Sequence, residues 1–388
     1  MNIAVYYPWI YLKGGAERAL LETIVHSRHD WTIYTNHFDG AGTFPEFADL
    51  PVVQLATVPV KRSIAAVAGA AVRVAAQRVD FANHDRLVVF SEGLGNLVAT
   101  RSRVPTTCVC LTPLKVAYDV VTNERFFKDA PRRHYRAAFA AYRFVDRRTW
   151  GHYDHVFCIS NGVKSRLVDN GLVAENRIDV VYPGVDHERF RPTGESEPYF
   201  LLPGRVMWQK QIEVALDAWR FFKPHPSDSA MQLVIAGMVD AKSRAYVDGL
   251  RRSVAWRPDV KFVESPSDEE LCRLYQRCFG VLFSAPSEDF GLVPLEAMAC
   301  EKTVVAPRRG GPTETVVDGC TGLLVDGDAR SVAAAMSALT HMPESQRRGM
   351  ERSARRRALE FDWEAFVDPL DDHLDGYRRV ELGAAVSW

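Results

Sequence analysis

Two glutamates, Glu288 and Glu296, stand eight positions apart in SEDFGLVPLEAMAC (Ser287 to Cys300), an otherwise largely apolar segment with Gly291 and Pro294 between them. A single helix through both would set the carboxylates two turns apart, but a glycine and a proline inside it argue against that. The spacing instead predicts a strand over Gly280–Phe283, the loop SAPSEDFGLV, and a helix with Pro294 at its first position. Glu296 then lies in the first helical turn, and Glu288 in the loop ahead of it. The free N–H groups from Phe290 to Val293, with Asp289 beside them, can hold an anion such as phosphate. The two carboxylates can accept hydrogen bonds from hydroxyls on either side of that anion. A diphosphate with a sugar at each end, a nucleotide-sugar, has that distribution of charge and hydroxyls. Taken alone, Glu296 reads equally well as a favourable charge at a helix N-terminus.

A second segment shifts the balance. PGRVMWQKQ follows an apolar run over Tyr199–Leu202, with Gly204 giving a tight turn and Arg205 and Lys210 close behind. Two cations beside a helix N-terminus would neutralise a diphosphate and stabilise it as it leaves. A third segment, RRGGPTETVVDGCTGLLV, pairs Gly310 with Gly311 ahead of Pro312 and Glu314.

These groups need strands to present them. Short β-rich runs alternate with helical stretches along the whole chain, which predicts stacked βα units and parallel sheets. In the first half the expected strands are Ile3–Tyr7, Trp31–Thr35, Arg86–Phe90, Thr107–Leu111, His155–Ile159 and Ile178–Val181. In the second they are Tyr199–Leu202, Gln232–Ala236, Val260–Phe262, Gly280–Phe283, Thr303–Ala306 and Gly322–Leu324. Polar HERFRPTGESEP between the two sets reads as a linker. The expectation is an α/β chain of two Rossmann-like, doubly wound domains facing each other across a cleft, spanning 1–190 and 191–371. A C-terminal helix at 372–388, after an interruption at Pro369, would pack back on the first domain. Ligands in such sheets sit beyond the carboxyl ends of the strands.

The order GR with Lys five residues on, SEDFGLVPLEAMAC, then GGPTETVVDGCTGLLV, resembles the nucleotide-sugar domain of the retaining family 4 glycosyltransferases (GT4), which have the GT-B fold. FVESPSDEELCRLYQRC extends the resemblance, which covers residues 180–345. It implies that Arg205 and Lys210 bind the donor diphosphate and that Glu288 binds hydroxyls of the transferred sugar. It gives the backbone at Phe290, Gly291 and Leu292 to sugar and phosphate, Glu296 to the ribose, and the turn near Val263 to the base. It implies a front-face mechanism in which Arg205, Lys210 and Glu288 carry the chemistry, with no cofactor and no metal. The first domain resembles the family more loosely. KGGAERAL resembles its Gly-rich loop, where Gly14 and Gly15 let backbone approach donor phosphate or acceptor. HVFCISNGVKSRL also resembles the family, which implies that Ser160 and Asn161 edge the cleft.

CVCLTPLKVAYDV resembles the HTP-R-Y-x-x-D stretch of bacterial mannosyltransferase-like members, where the histidine sits by the reacting sugar. Here Leu111 stands at that position, followed by Thr112, then Lys115 where the family often has arginine, then Tyr118. Leucine can neither bind a sugar hydroxyl nor handle a proton. That leaves an altered donor or acceptor, or a weakened or lost activity, while the resemblance implies a GDP- or UDP-linked donor and a small-molecule, lipid-linked or glycan acceptor. Two alternatives go with it: a GT-B nucleotide-sugar epimerase, and a nucleotide-sugar binder with weak or no turnover.

The totals exclude other classes. Across 388 residues, 48 basic side chains nearly balance 49 acidic ones, so no nucleic-acid-binding field is indicated. The seven cysteines form no C-x-x-C pair, which fits reduced thiols in the cytoplasm. No G-x-G-x-x-G follows the first strand, which disfavours a dinucleotide-dependent oxidoreductase. The start MNIAVYYPWI has no signal-peptide pattern, and the apolar tract Ser63–Val79 is broken by Arg73. The basic, aromatic stretch Asn123–Arg148 suits either an acceptor lid meeting an anionic surface at the inner face of the membrane or a plain solvated helix.

Overall fold

A computed structural model describes residues 1–58, 64–120, 122–124, 133–226 and 230–384, with the backbone course alone at 64–68, 133–135 and 377–384. The chain divides into two compact units, 1–183 with 363–388 and 184–362. The division thus falls at Pro183/Gly184 rather than at 190/191, and the chain returns to the first unit at Trp363 rather than at 372. Phe190 explains the first shift: it is buried, and Arg355 donates to its carbonyl and to that of His187, so the start of the expected linker is packed into the second unit.

In the first unit the strands are β1 (Asn2–Tyr6), β2 (Trp9–Ile10), β3 (Asp30–Thr35), β4 (His37–Phe38), β5 (Val52–Gln54), β6 (Arg86–Ser91), β7 (Thr106–Cys110), β8 (Val156–Cys158) and β9 (Ile178–Val180). Seven of them form a parallel sheet in the order β5-β3-β1-β6-β7-β8-β9, while β2 and β4 pair separately. In the second unit they are β10 (Tyr199–Pro203), β11 (Gln232–Gly237), β12 (Val260–Glu264), β13 (Gly280–Leu282), β14 (Thr303–Pro307) and β15 (Gly322–Val325). Their order, β12-β11-β10-β13-β14-β15, is the doubly wound pattern whose direction reverses between β10 and β13. The inner strands read as unbroken apolar runs because helices cover both faces. Phe200, Leu233 and Ile235 from the sheet pack with Ala215, Trp219 and Met336 from helices Ile212–Phe221 and Ala329–His341.

Pro369 does not interrupt the last helix, which runs Trp363–Ala384 with the proline inside it. Tertiary contacts outweigh the lost hydrogen bond. Phe366, Val367, Leu370 and Leu374 are buried, and the Asp371 carboxylate accepts from Ser27 Oγ at 2.8 Å and Arg28 N at 2.9 Å. Of the apolar tract Ser63–Val79, the helix Ile64–Ala76 is described, whereas Ser63, Lys61 and Arg62 lie outside the described residues.

Candidate functional site

The reversal point of the second unit's sheet brings together residues far apart in sequence. Lys210 closes a single 3-10 turn, Trp208–Lys210, after β10, and Glu288 lies in the loop after β13. Lys210 Nζ meets Glu288 Oε2 at 2.5 Å, each side chain about a quarter exposed. The ammonium also lies 5.6 Å from the centre of the Phe283 ring. Gly204, Arg205, Lys210, Phe283, Ser284 and Ala285 line one small cavity there, so the two cations expected to act together do share a wall.

Backbone contacts fix both partners. Ser284 Oγ donates to Lys210 O at 2.6 Å, which ties the turn after β10 to the end of β13. Gly311 N donates to Glu288 O at 2.9 Å. A Cβ on Gly311 would lie 1.9 Å from Phe290 O, so only glycine lets the two loops touch. The glycine pair therefore seats the Glu288 loop. Pro312–Thr315 beyond it is a single helical turn.

The helix after the loop is Leu292–Ala299, capped by Gly291 at φ +88°. It therefore begins two residues before Pro294, which occupies the third position, where a missing N–H still costs nothing. Glu296 falls in the second turn rather than the first, and a helix-terminus charge does not account for it. Its Oε2 accepts a 2.5 Å hydrogen bond from the hydroxyl of Tyr275, a fully buried side chain. Burial, then the neighbouring carboxylate, holds the Tyr275 hydroxyl well above the usual phenol range, so it stays a donor. Leu292 and Val293 are half-buried, and Asp289 is at the edge of burial. The Phe290 ring is buried, with its centre 6.1 Å from that of the Phe361 ring. Val263 is half-buried in β12 beside Glu264, whose carboxylate Arg244 and then Arg251 hold below the usual range.

In the first unit the sheet reverses between β1 and β6. Tyr7, after β1, donates to Glu92 Oε2, after β6, at 3.1 Å. Gly14 caps the helix Gly15–His26 in extended geometry, and Gly15 is exposed, so neither glycine is needed for a left-handed turn. Leu111 is buried, and its N–H and that of Thr112 both donate to Ser91 O, at 3.0 and 3.3 Å. The Thr112 hydroxyl accepts from Arg166 Nη1 at 3.2 Å. Lys115 begins the one-turn helix Lys115–Tyr118 and is half-buried. Tyr118 is buried, and its hydroxyl donates to buried Asp146 at 2.9 Å, alongside Trp150 Nε1 at 3.0 Å. Burial raises the Asp146 carboxyl, while those donors offset part of the rise. Ser160 caps the helix Asn161–Asp169 by accepting from Val163 N, and exposed Asn161 donates to Tyr182 at 2.7 Å. Residues 125–132 of the basic stretch lie outside the described residues. Beyond them, helix Arg133–Thr149 exposes Phe144 beneath Arg148.

Two family models match consecutive parts of this frame. Residues 13–189 match Glycosyltransferase Family 4, and residues 186–357 match Glycosyl transferases group 1. The chain belongs to the family 4 glycosyltransferases. A D-inositol 3-phosphate glycosyltransferase of Mycolicibacterium paratuberculosis is 33% identical over 219 residues, 53% of this chain and 48% of that protein. The counterpart from Mycobacterium bovis is 33% identical over 220 residues, 53% of this chain and 44% of its own. The chain thus spans about half the length of the curated relatives it matches. Among solved structures, Anabaena HepE in complex with UDP superposes with a TM-score of 0.75 at 19% identity, over 97% of this chain and all of that one. Sucrose-phosphate synthase from Thermosynechococcus elongatus gives 0.75 at 21% identity, over 99% and 100%. These likenesses establish the GT-B fold for this family member.

Sequence reasoning passed over Tyr275, Tyr7 and Glu92 in this family 4 chain. Tyr275 lies within a recognised segment but reads as an apolar helix residue. The signal for Tyr7 and Glu92 was position, since each directly follows an inner strand of a parallel sheet. Among the described residues no three His, Cys, Asp or Glu side chains group to hold a metal ion, and no helix is long and apolar enough to cross a membrane.

Proposed function

We propose that the chain moves a hexose from a nucleotide diphosphate-sugar to an acceptor hydroxyl with retention of configuration. The observation that carries this reading is the meeting of Lys210 and Glu288 at the reversal point of the second sheet, in a cavity that Arg205 also lines. Doubly wound sheets bind ligands at that point, and the three side chains offer what a sugar diphosphate needs. Arg205 and Lys210 hold the diphosphate. Glu288 accepts from sugar hydroxyls, with the backbone at Phe290 to Leu292 beside it, and Glu296, steadied by Tyr275, accepts from the ribose. The base lies by Val263.

In the front-face reaction the bond from the anomeric carbon to the diphosphate oxygen breaks, and its electron pair leaves with the diphosphate. The acceptor oxygen bonds to the same face of that carbon, and its proton passes to the departing phosphate oxygen. No side-chain nucleophile is required. The cations matter most as negative charge builds on the leaving group. Buried Leu111 takes no part in proton transfer. The first unit, with Leu111, Thr112, Lys115, Tyr118 and Asn161, receives a small-molecule, lipid-linked or glycan acceptor, and Gly14 and Gly15 let backbone approach the donor. HepE is described in complex with UDP-glucose, so uridine donors are the first to try, with guanosine donors next. Neither the epimerase nor the inactive binder draws support from the relatives.

The test is a thermal-shift panel of nucleotide-sugars, followed by transfer assays on Arg205→Ala and Lys210→Ala. A matching donor raises the melting temperature by mass action. Each substitution is expected to lower kcat/KM roughly 10²–10³-fold. Near-normal turnover in both variants, or no shift with any donor at millimolar concentration, rejects the reading.

A further inference from the structure

We infer that the Lys210–Glu288 pair makes the site discriminate between an intact nucleotide-sugar and the nucleoside diphosphate left after transfer. The inference rests on the proposed donor site and adds a selectivity that the site's composition alone does not give. Its basis is that the cation assigned to the phosphates is engaged by the carboxylate assigned to the sugar, at 2.5 Å. Both partners are anchored. Lys210 is held through its carbonyl by Ser284, and Glu288 through its carbonyl by Gly311. A Cβ on Gly291 would press to within 3.2 Å of Glu288 Cγ, so the carboxylate's stem is closely surrounded. This is a seated pair between two strand ends, unlike the loose surface pairs that contribute little.

A diphosphate entering the cavity draws Lys210 Nζ away from Glu288. The carboxylate then loses that cation and faces the added phosphate charge, which is unfavourable at short range. An intact nucleotide-sugar offsets the loss, because its sugar hydroxyls donate to Glu288 as the diphosphate takes Lys210. The bare diphosphate brings no such donors. Glu288 therefore penalises the product and spares the substrate, and Lys210 returns to Glu288 as the diphosphate departs. Specificity here arises from a charge left less well compensated by the wrong ligand.

Calorimetric titration of the whole chain with UDP, GDP and ADP, each paired with its glucose nucleotide, tests this. In Glu288→Gln the charge is gone and the amide still meets hydroxyls. Affinity for the best-bound nucleoside diphosphate is expected to rise about tenfold over wild type, a coupling of ordinary size, while the matching nucleotide-sugar gains nothing or weakens. In a Lys210→Met background the same Glu288→Gln change is expected to leave much less of that gain, which a merely structural role for Glu288 would not produce. Unchanged or weaker diphosphate binding in Glu288→Gln overturns the inference and leaves the donor site standing. Failure of every nucleotide to bind wild type overturns both. Melting temperatures of the variants guard against loss of fold.

Discussion

At the scale of single residues, the second unit gives each of its two candidate carboxylates a side-chain partner: Lys210 for Glu288, and Tyr275 for Glu296. The second pair carries its own prediction. Tyr275→Phe removes a fully buried donor to a carboxylate and leaves the ring's packing intact, so stability should fall by about 1–3 kcal/mol. A urea melt reads that loss, and nucleotide titration should show weaker donor binding as Glu296 loses its fixed position. Unchanged donor affinity would remove Glu296 from the ribose role. The sequence made Glu296 visible and left Tyr275 hidden for one physical reason. A carboxylate amid apolar neighbours is conspicuous, whereas a tyrosine at a helix's apolar positions looks like core, and Tyr275 is core. Its function lies only in where its hydroxyl ends. Tyr118 shows the converse: its motif position made it visible, while the partner of its hydroxyl, buried Asp146, was hidden.

At the scale of elements, the loop after β13 is positioned by a second loop. The prediction follows from Gly311, whose missing side chain leaves space for Phe290 O. Gly311→Ala should destabilise the protein by about 1–3 kcal/mol, the usual range for overpacking, and weaken nucleotide binding as the Glu288 loop is displaced. Gly376→Ala, on an open helix surface with nothing near the added methyl, should instead be neutral or gain up to about 1 kcal/mol. Equal effects of the two substitutions on thermal melting would refute the argument. Most elements were legible because buried parallel strands write themselves as apolar runs between turn residues. The two-residue strands β2 and β4, and exposed β5, carry too few apolar positions to announce themselves. The start of helix Leu292–Ala299 was misplaced because proline is accepted anywhere in a first turn, so Pro294 marks the turn without marking its first residue.

At the scale of the whole molecule, the last helix belongs to the unit that the chain left at Pro183. Asp371 fastens it there through Ser27 and the Arg28 amide, with Arg28 reaching Asp372 and Asp375 at the surface. Asp371→Ala leaves those inner donors without their acceptor and should cost about 2–3 kcal/mol. Hydrogen exchange should show the loss as faster opening across helix Gly15–His26 and β3, with protection of β10 to β15 unchanged. Uniform loss across both units would mean that the helix holds more than the first. The same connectivity makes residues 184–362 an insertion within the first unit, and that sets an order of events during synthesis. Strands β10 to β15 leave the ribosome before the first unit's closing helix does. The second unit can therefore complete its fold during translation, while Ser27 and Arg28 of the first unit wait for the helix that brings Asp371.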